Sequence, residues 1–194
     1  HRVEIEPEPT WRHEGLDTFD NPVLSLSFHS PHTRQHVRSE TTIEVRPHLP
    51  PEDLAASPAW EEVRERLAYG ARPPLPDDLD AAQFLFESPC VSVKREFAAF
   101  AAGCFPPGTP VLVGTRALME RIYTEFEFDA EATTVSTPVT EVLEKKRGVC
   151  QDFAHLMIAS LRSLGLAARY VSGYLLTRPP PGQPRLTGAD ASHA

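Results

Sequence analysis

The stretch from Cys150 to Leu164 most constrains what this chain can fold into. Ala154, Met157, Ile158 and Leu161 recur at helical spacing on one face, and Phe153, Leu156 and Leu164 widen the apolar surface. A helix this apolar must be covered nearly all round, so the rest of the chain has to pack about it. Gly165 stops it. Just before it, Thr137-Pro138 opens a short helix carrying Val142 and Leu143, which Glu144-Lys145-Lys146-Arg147-Gly148 closes. The long helix therefore begins at or near Cys150. A thiol on a first helical turn faces unpaired N–H groups and the positive end of the helix dipole. Such surroundings bring cysteine pKa values from about 8.5 into the range of about 3.5–7.5, and at roughly 6 about nine-tenths of a thiol is thiolate at neutral pH. Cys150 is the candidate nucleophile.

Elsewhere the hydrophobic period changes once. From Val3 to about Arg46 the chain reads as β, with Val23–Phe28 and Thr41–Val45 as half-buried strands and Asp17-Thr18-Phe19-Asp20-Asn21-Pro22 as a turn leading into the first. His29, His32 and His36 fall in the polar link between those strands at no zinc-like spacing, and read as surface histidines. Pro47 to Pro51 marks a boundary. Residues 1–48 form a partial β domain and 52–194 a mainly helical one. Ser57 is expected to cap a helix through Trp60, Val63 and Leu67. Further helices follow from Asp77 to about Glu87, from Val93 to Ala102 with Phe97 and Phe100 inward, and from Val111 to Phe126. The Arg72–Pro76 and Phe105–Pro110 stretches are breaks between them. After Gly165, Ala167–Thr177 reads as a strand, Arg178–Gln183 as a loop, and Thr187–Ala194 as the start of a second strand bearing His193. The fold class is α+β.

Composition narrows the function. The chain is 41% hydrophobic, enough for a sizeable core, and its net charge of −8 argues against nucleic acid as the main partner. No apolar run approaches the roughly 18 residues that a membrane span needs. Cys90, Cys104 and Cys150 make an odd set that does not resemble a disulfide framework, so free thiols in the cytoplasm are expected. The chain starts at His1 rather than Met and ends with no stop signal, and so reads as a fragment cut at both ends. It sets no oligomeric state.

A thiolate attacking a carbonyl needs an imidazole to hold and return a proton, a group to orient that imidazole, and N–H donors for the oxyanion. His193, two elements after Cys150, supplies the imidazole, and the Cys150 N–H supplies one donor. Asp152, on the first helical turn, reads as a cap. His155 is five positions from Cys150, on another part of the helix, and reads as a buried histidine bonded to backbone. Gln151 could line the mouth of the site. Tyr170, Ser172 and Tyr174 share one strand face and read as sheet packing. A metal site of Cys150, Asp152, His155 and His193 competes, without a Cys-x-x-Cys pair to support it.

Three segments carry a family likeness. They are Gly148-Val149-Cys150-Gln151-Asp152-Phe153-Ala154-His155, Leu161–Tyr174 and Ala189-Asp190-Ala191-Ser192-His193-Ala194. Together they resemble the bacterial transglutaminase-like superfamily, whose members have a papain-like cysteine core. The strands from Asp17 onward look like the small β-sandwich-like domain that often precedes it. The resemblance implies a helix carrying the cysteine packed on an antiparallel sheet, with Cys150 as nucleophile and His193 as general base and acid. It implies a third member, an aspartate, on a strand after the histidine. Asp190 does not fill that place, because an odd spacing on a strand sends it to the face opposite His193. The family's tryptophan donor has no match, since Trp11 and Trp60 are both far from Cys150. The implied reaction is cysteine-dependent acyl transfer at a carboxamide or peptide bond through a thioester, on a protein, a peptide or a small amide. No cofactor or metal is implied. A binding or scaffolding module that keeps the fold without the chemistry is the alternative.

Overall fold

Strand pairing organises the first forty-odd residues. In the computed structural model, which describes residues 1–46, 52–68, 70, 75–174, 181–182 and 192–194, β1 (Arg2–Glu6) pairs antiparallel with β4 (His36–Glu40), and β2 (Trp11–Leu16) with β3 (Pro22–Ser27). The result is two separate two-stranded sheets. Along β1, Val3 and Ile5 are half-buried between exposed Arg2, Glu4 and Glu6, the period-2 signature of a one-faced strand. The Asp17 carboxylate fixes the β2–β3 turn. It accepts the Phe19 N–H at 2.8 Å, the Asn21 N–H at 2.9 Å and the Asn21 side-chain amide at 2.9 Å. These bonds, that of the Asn21 side chain foremost, hold the Asp17 carboxyl below the usual carboxylate range.

The expected strand at 23–28 is β3. The one expected at Thr41–Val45 does not form. The paired strand ends at Glu40, opposite Arg2, and Thr41 meets His1 through side chains instead, its hydroxyl 2.6 Å from His1 Nδ1. His36 accordingly belongs to β4 rather than to a link, and His29, His32 and His36 are all exposed.

Clustering of contacts separates this unit, His1–Arg46, from a second, Pro47–Ala194. In the second, a short 3-10 turn (Leu54–Ala56) precedes α1 (Trp60–Leu67), α2 (Pro76–Ala82), α3 (Arg95–Ala102) and α4 (Val111–Glu125). There follow β5 (Glu127–Phe128), α5 (Val139–Lys145), β6 (Arg147–Gly148), α6 (Cys150–Ser163), β7 (Gly173–Tyr174) and β8 (Ser192–His193). Ser57 does not cap α1, whose first residue follows Ala59. Its hydroxyl donates to the Leu54 carbonyl at 2.7 Å and accepts the Leu112 N–H at 3.1 Å, tying the 3-10 turn to the start of α4.

Helix α6 is the centre of this unit, with α3, α4 and α5 packed against it. Phe97, Leu118, Val142 and Leu156 are among its most deeply buried side chains. Fully burying each such side chain contributes about 1.5–3 kcal/mol. The end of α6 is set by chirality. Gly165 adopts φ +81, a region costly for other residues. This lets Gly165 N–H reach the Arg162 carbonyl at 2.9 Å and Leu166 N–H reach that of Leu161 at 3.0 Å, a Schellman termination closed by the buried Leu161 and Leu166.

Two small ladders complete the mixed helix-and-sheet fold. β5 runs parallel to β6, and β7 antiparallel to β8. Of the expected strand 167–177 only Gly173–Tyr174 is paired, while 175–177 lie outside the described residues. So do 187–191, the Pro47–Pro51 boundary, residues 71–74 and most of the 178–183 loop.

Candidate active site

The N-terminus of α6 is built around one carboxylate. Val149 is extended, with φ −110 and ψ 175, and serves as the cap residue. Asp152, 5% exposed, turns back along the helix so that Oδ2 accepts the Val149 N–H at 2.8 Å and the Thr133 hydroxyl at 2.6 Å. Asp152 is thus a cap, as its place on the first turn predicts. Gly148 makes room for it, because a Cβ there would lie 2.6 Å from Asp152 Oδ2. The 129–137 loop is bound to the same point, for Asp129 N–H donates to the Gly148 carbonyl at 3.0 Å. Because Asp152 takes the Val149 N–H, it does not occupy that of Cys150, which at the first helical position has no carbonyl a turn below it.

Cys150 is half-buried and opens onto a cavity of about 560 Å³. Phe153, Ala154 and Met157 of α6, Met119 and Ile122 of α4, the segment 168–171 and Ala194 form the other walls. His193, half-buried on β8, pairs with Gly173 of β7. Two chain segments thus lead from the cavity to His193: the stretch from Tyr170 to Gly173, and Ala194 next to it. Among the described residues no hydrogen bond joins Cys150 to His193, and Asp190 lies outside them.

Tyr170 is the residue that sequence reasoning passed over. The alternation of Tyr170, Ser172 and Tyr174 predicts sheet packing, yet position 170 precedes the paired part of the strand. Its ring lies 5.1 Å from that of His155, tilted by 42°, and it shares the cavity with Cys150. Burial pushes its hydroxyl pKa up, and negative charge at Cys150 pushes it further. His155, expected to be bonded to backbone, makes no such hydrogen bond among the described residues. Its ring packs on Tyr170, and burial drives its pKa below the ordinary 6.5 while the Asp152 charge pulls the other way. It faces a second cavity of about 270 Å³, with Gln151, Asp152, Cys90 and Lys94. Gln151 therefore lines this second cavity, whose walls do not include Cys150.

Arg162 is the second unanticipated residue. It is 8% exposed and spends its guanidinium on neutral oxygens. Nε and Nη2 donate to the Ala168 carbonyl at 2.9 and 2.7 Å, and Nη1 to the Phe86 carbonyl at 2.6 Å and Ser88 Oγ at 3.2 Å. It anchors the segment that leads to Tyr170. Among the described residues no group of three or more His, Cys, Asp or Glu side chains could hold a metal ion, and no helix is long and apolar enough to cross a membrane.

A family model described as the transglutaminase-like superfamily matches residues 98–194. The uncharacterized protein Rv2569c of Mycobacterium tuberculosis is 42% identical over 200 residues, which is 100% of this chain and 60% of the relative. The uncharacterized protein ML0607 of Mycobacterium leprae is 28% identical over 178 residues, 90% of this chain and 58% of its own length. The chain therefore spans about 60% of the length of these curated relatives. The fold is also that of a chain described in the words "Crystal Structure of a Putative Cysteine Protease from Cytophaga hutchinsonii", with a TM-score of 0.55 and 20% identity over 90% of this chain and 55% of that one.

At that identity the likeness speaks to the fold, a transglutaminase-like core of mixed helix and sheet. The chain belongs to the transglutaminase-like superfamily.

Proposed function

We propose that the protein is a cysteine-dependent acyl-transfer enzyme acting on a carboxamide or peptide bond. Cys150 is its nucleophile and His193 its general base and acid. The observation that supports this most is the setting of Cys150. It opens a buried helix, its N–H is not taken by the cap, and it faces a cavity whose wall runs on to His193 through Ala194. His193 takes the thiol proton as sulfur attacks the carbonyl carbon, and the carbonyl electron pair moves to oxygen. The tetrahedral intermediate then collapses, the C–N bond breaks, and the imidazolium returns its proton to the leaving ammonia or amine. Water or a second amine resolves the thioester, giving hydrolysis or cross-linking.

We favour hydrolysis of a peptide or a small amide, with no cofactor required and neither nucleic acid nor membrane as partner. Three free cysteines, one of them exposed, fit the cytoplasm or another reducing compartment. The test is Cys150→Ala in the whole protein, assayed by peptide cleavage and by ammonia release from a glutaminyl peptide. Turnover is expected to drop to background, with the melting temperature nearly unchanged because the side chain is half-buried and loses one sulfur. Activity that survives the change refutes the assignment. Iodoacetamide at neutral pH should label Cys150 ahead of Cys104, whose thiol burial pushes up.

A further inference from the structure

An oxyanion formed at Cys150 needs two donors, and the helix supplies one. We propose that the hydroxyl of Tyr170 is the second. This inference rests on the reading of Cys150 as nucleophile.

Among the described residues lining the Cys150 cavity, only Arg169 and Tyr170 carry a strong side-chain hydrogen-bond donor, the rest being apolar apart from the sulfur itself. Arg169 is directed elsewhere, its guanidinium carbon 5.8 Å from the centre of the Phe84 ring. Tyr170 stays on the cavity wall that it shares with Cys150. There its ring rests against His155. Gln151, whose amide is next to the cysteine in the chain, lines the second cavity and does not compete.

The phenol is also held in place. Two residues before it, Ala168 N–H donates to the Phe84 carbonyl at 3.3 Å, and the Ala168 carbonyl accepts both the Nε and Nη2 of Arg162. The ring is anchored on one side, and its hydroxyl makes no hydrogen bond to any described residue. A fixed donor without a partner among the described residues, beside a nucleophile, is what stabilisation of developing charge requires, because no reorganisation is needed when the charge appears. Negative charge at Cys150 raises the Tyr170 hydroxyl pKa, in keeping with the cavity that the two residues share. In the reaction the carbonyl oxygen gains the electron pair of the C=O bond as sulfur adds. The Cys150 N–H and the Tyr170 O–H both donate to it, and each keeps its proton. As the intermediate collapses the electron pair returns to the carbonyl and the amine leaves.

The experiment is Tyr170→Phe in the whole protein, beside Cys150→Ala. Phenylalanine preserves the ring on His155, so folding is retained and is checked by melting temperature. The expected result is a kcat lower by about 100- to 1,000-fold, with KM changed less than about threefold. The rate at which iodoacetamide alkylates Cys150 should equal that of the wild type. A peptide aldehyde, whose adduct with sulfur carries the same oxygen, should bind more weakly by a comparable factor. If Tyr170→Phe keeps kcat within threefold while Cys150→Ala is inactive, the inference is overturned and the nucleophile stands. If alkylation of Cys150 falls together with kcat, the inference is overturned as well, because the phenol then serves the thiol or the fold. If Cys150→Ala stays active, the nucleophile reading itself fails.

Discussion

Gly148→Ala should be among the most damaging small substitutions in this chain, although it adds a single methyl group. Where the backbone tolerates it, replacing glycine by alanine stabilises a protein by about 0.4–1 kcal/mol. At position 148 the sign reverses. The new Cβ would meet Asp152 Oδ2 at 2.6 Å, its Cβ at 3.0 Å and its Cγ at 3.2 Å, and the carboxylate has no slack, being buried and bonded to Val149 and Thr133. Displacing Asp152 forfeits a helix cap, about 0.5–2 kcal/mol, and a hydrogen bond from Thr133 to a charged acceptor, about 1.5–3 kcal/mol. Moving Gly148 instead breaks its bond from Asp129 and the β5–β6 pairing. Either way we expect a loss of about 2–4 kcal/mol, or roughly 4–16 °C in melting temperature for a domain of this size.

The diagnostic is a double-mutant cycle with Asp152→Ala, followed by urea and thermal unfolding with circular dichroism. With the carboxylate gone only the Cβ of residue 152 remains, at 3.0 Å, a contact that a small shift relieves, so Gly148→Ala should cost about 1 kcal/mol in that background. The coupling energy should then be about 1–3 kcal/mol. If Gly148→Ala is neutral in the wild type, or costs the same in both backgrounds, the close approach is not what constrains this turn.

Glu125 joins the end of α4 to the connector before α6, accepting from Arg121 Nε at 2.7 Å and Lys146 Nζ at 2.6 Å. Lys146 first, then Arg121, lowers its pKa from the ordinary 4.5. The stabilisation is therefore complete above about pH 4.5 and is lost as pH falls through the lowered value. Urea midpoints of wild type and Glu125→Gln should differ at neutral pH and converge in acid, and a gap that stays constant across pH contradicts the linkage. Arg162→Met and Arg162→Lys should each destabilise by about 2–4 kcal/mol, because the Phe86 and Ala168 carbonyls cannot both be satisfied. Denaturant unfolding checks this, and a lysine variant as stable as the wild type contradicts it.

The helices were legible because their hydrophobic period is local. Trp60, Val63 and Leu67, Phe97 and Phe100, and Ala154, Met157, Ile158 and Leu161 mark α1, α3 and α6 by their spacing alone. Gly165 announced the end of α6 because only a residue free at positive φ closes a helix that way. The strands were less legible. Thr41–Val45 has the alternation of a strand, but a strand also needs a partner, and the β1–β4 ladder stops at the Arg2–Glu40 pair. Ser57 looked like a cap, yet its hydroxyl answers to Leu54 and Leu112.

From sequence alone it followed that a cysteine would open a buried helix in an α+β chain of this family, with an acidic cap two residues on. Only the tertiary structure decided that Tyr170, and not Gln151, shares the cavity of Cys150. Only it revealed that Thr133 and Gly148 enclose the Asp152 carboxylate, and that a buried Arg162 moors the segment facing the thiol. The reason is one of range. Period and capping are written in neighbours three and four apart, whereas these contacts join residues brought together only when separate elements close on one core.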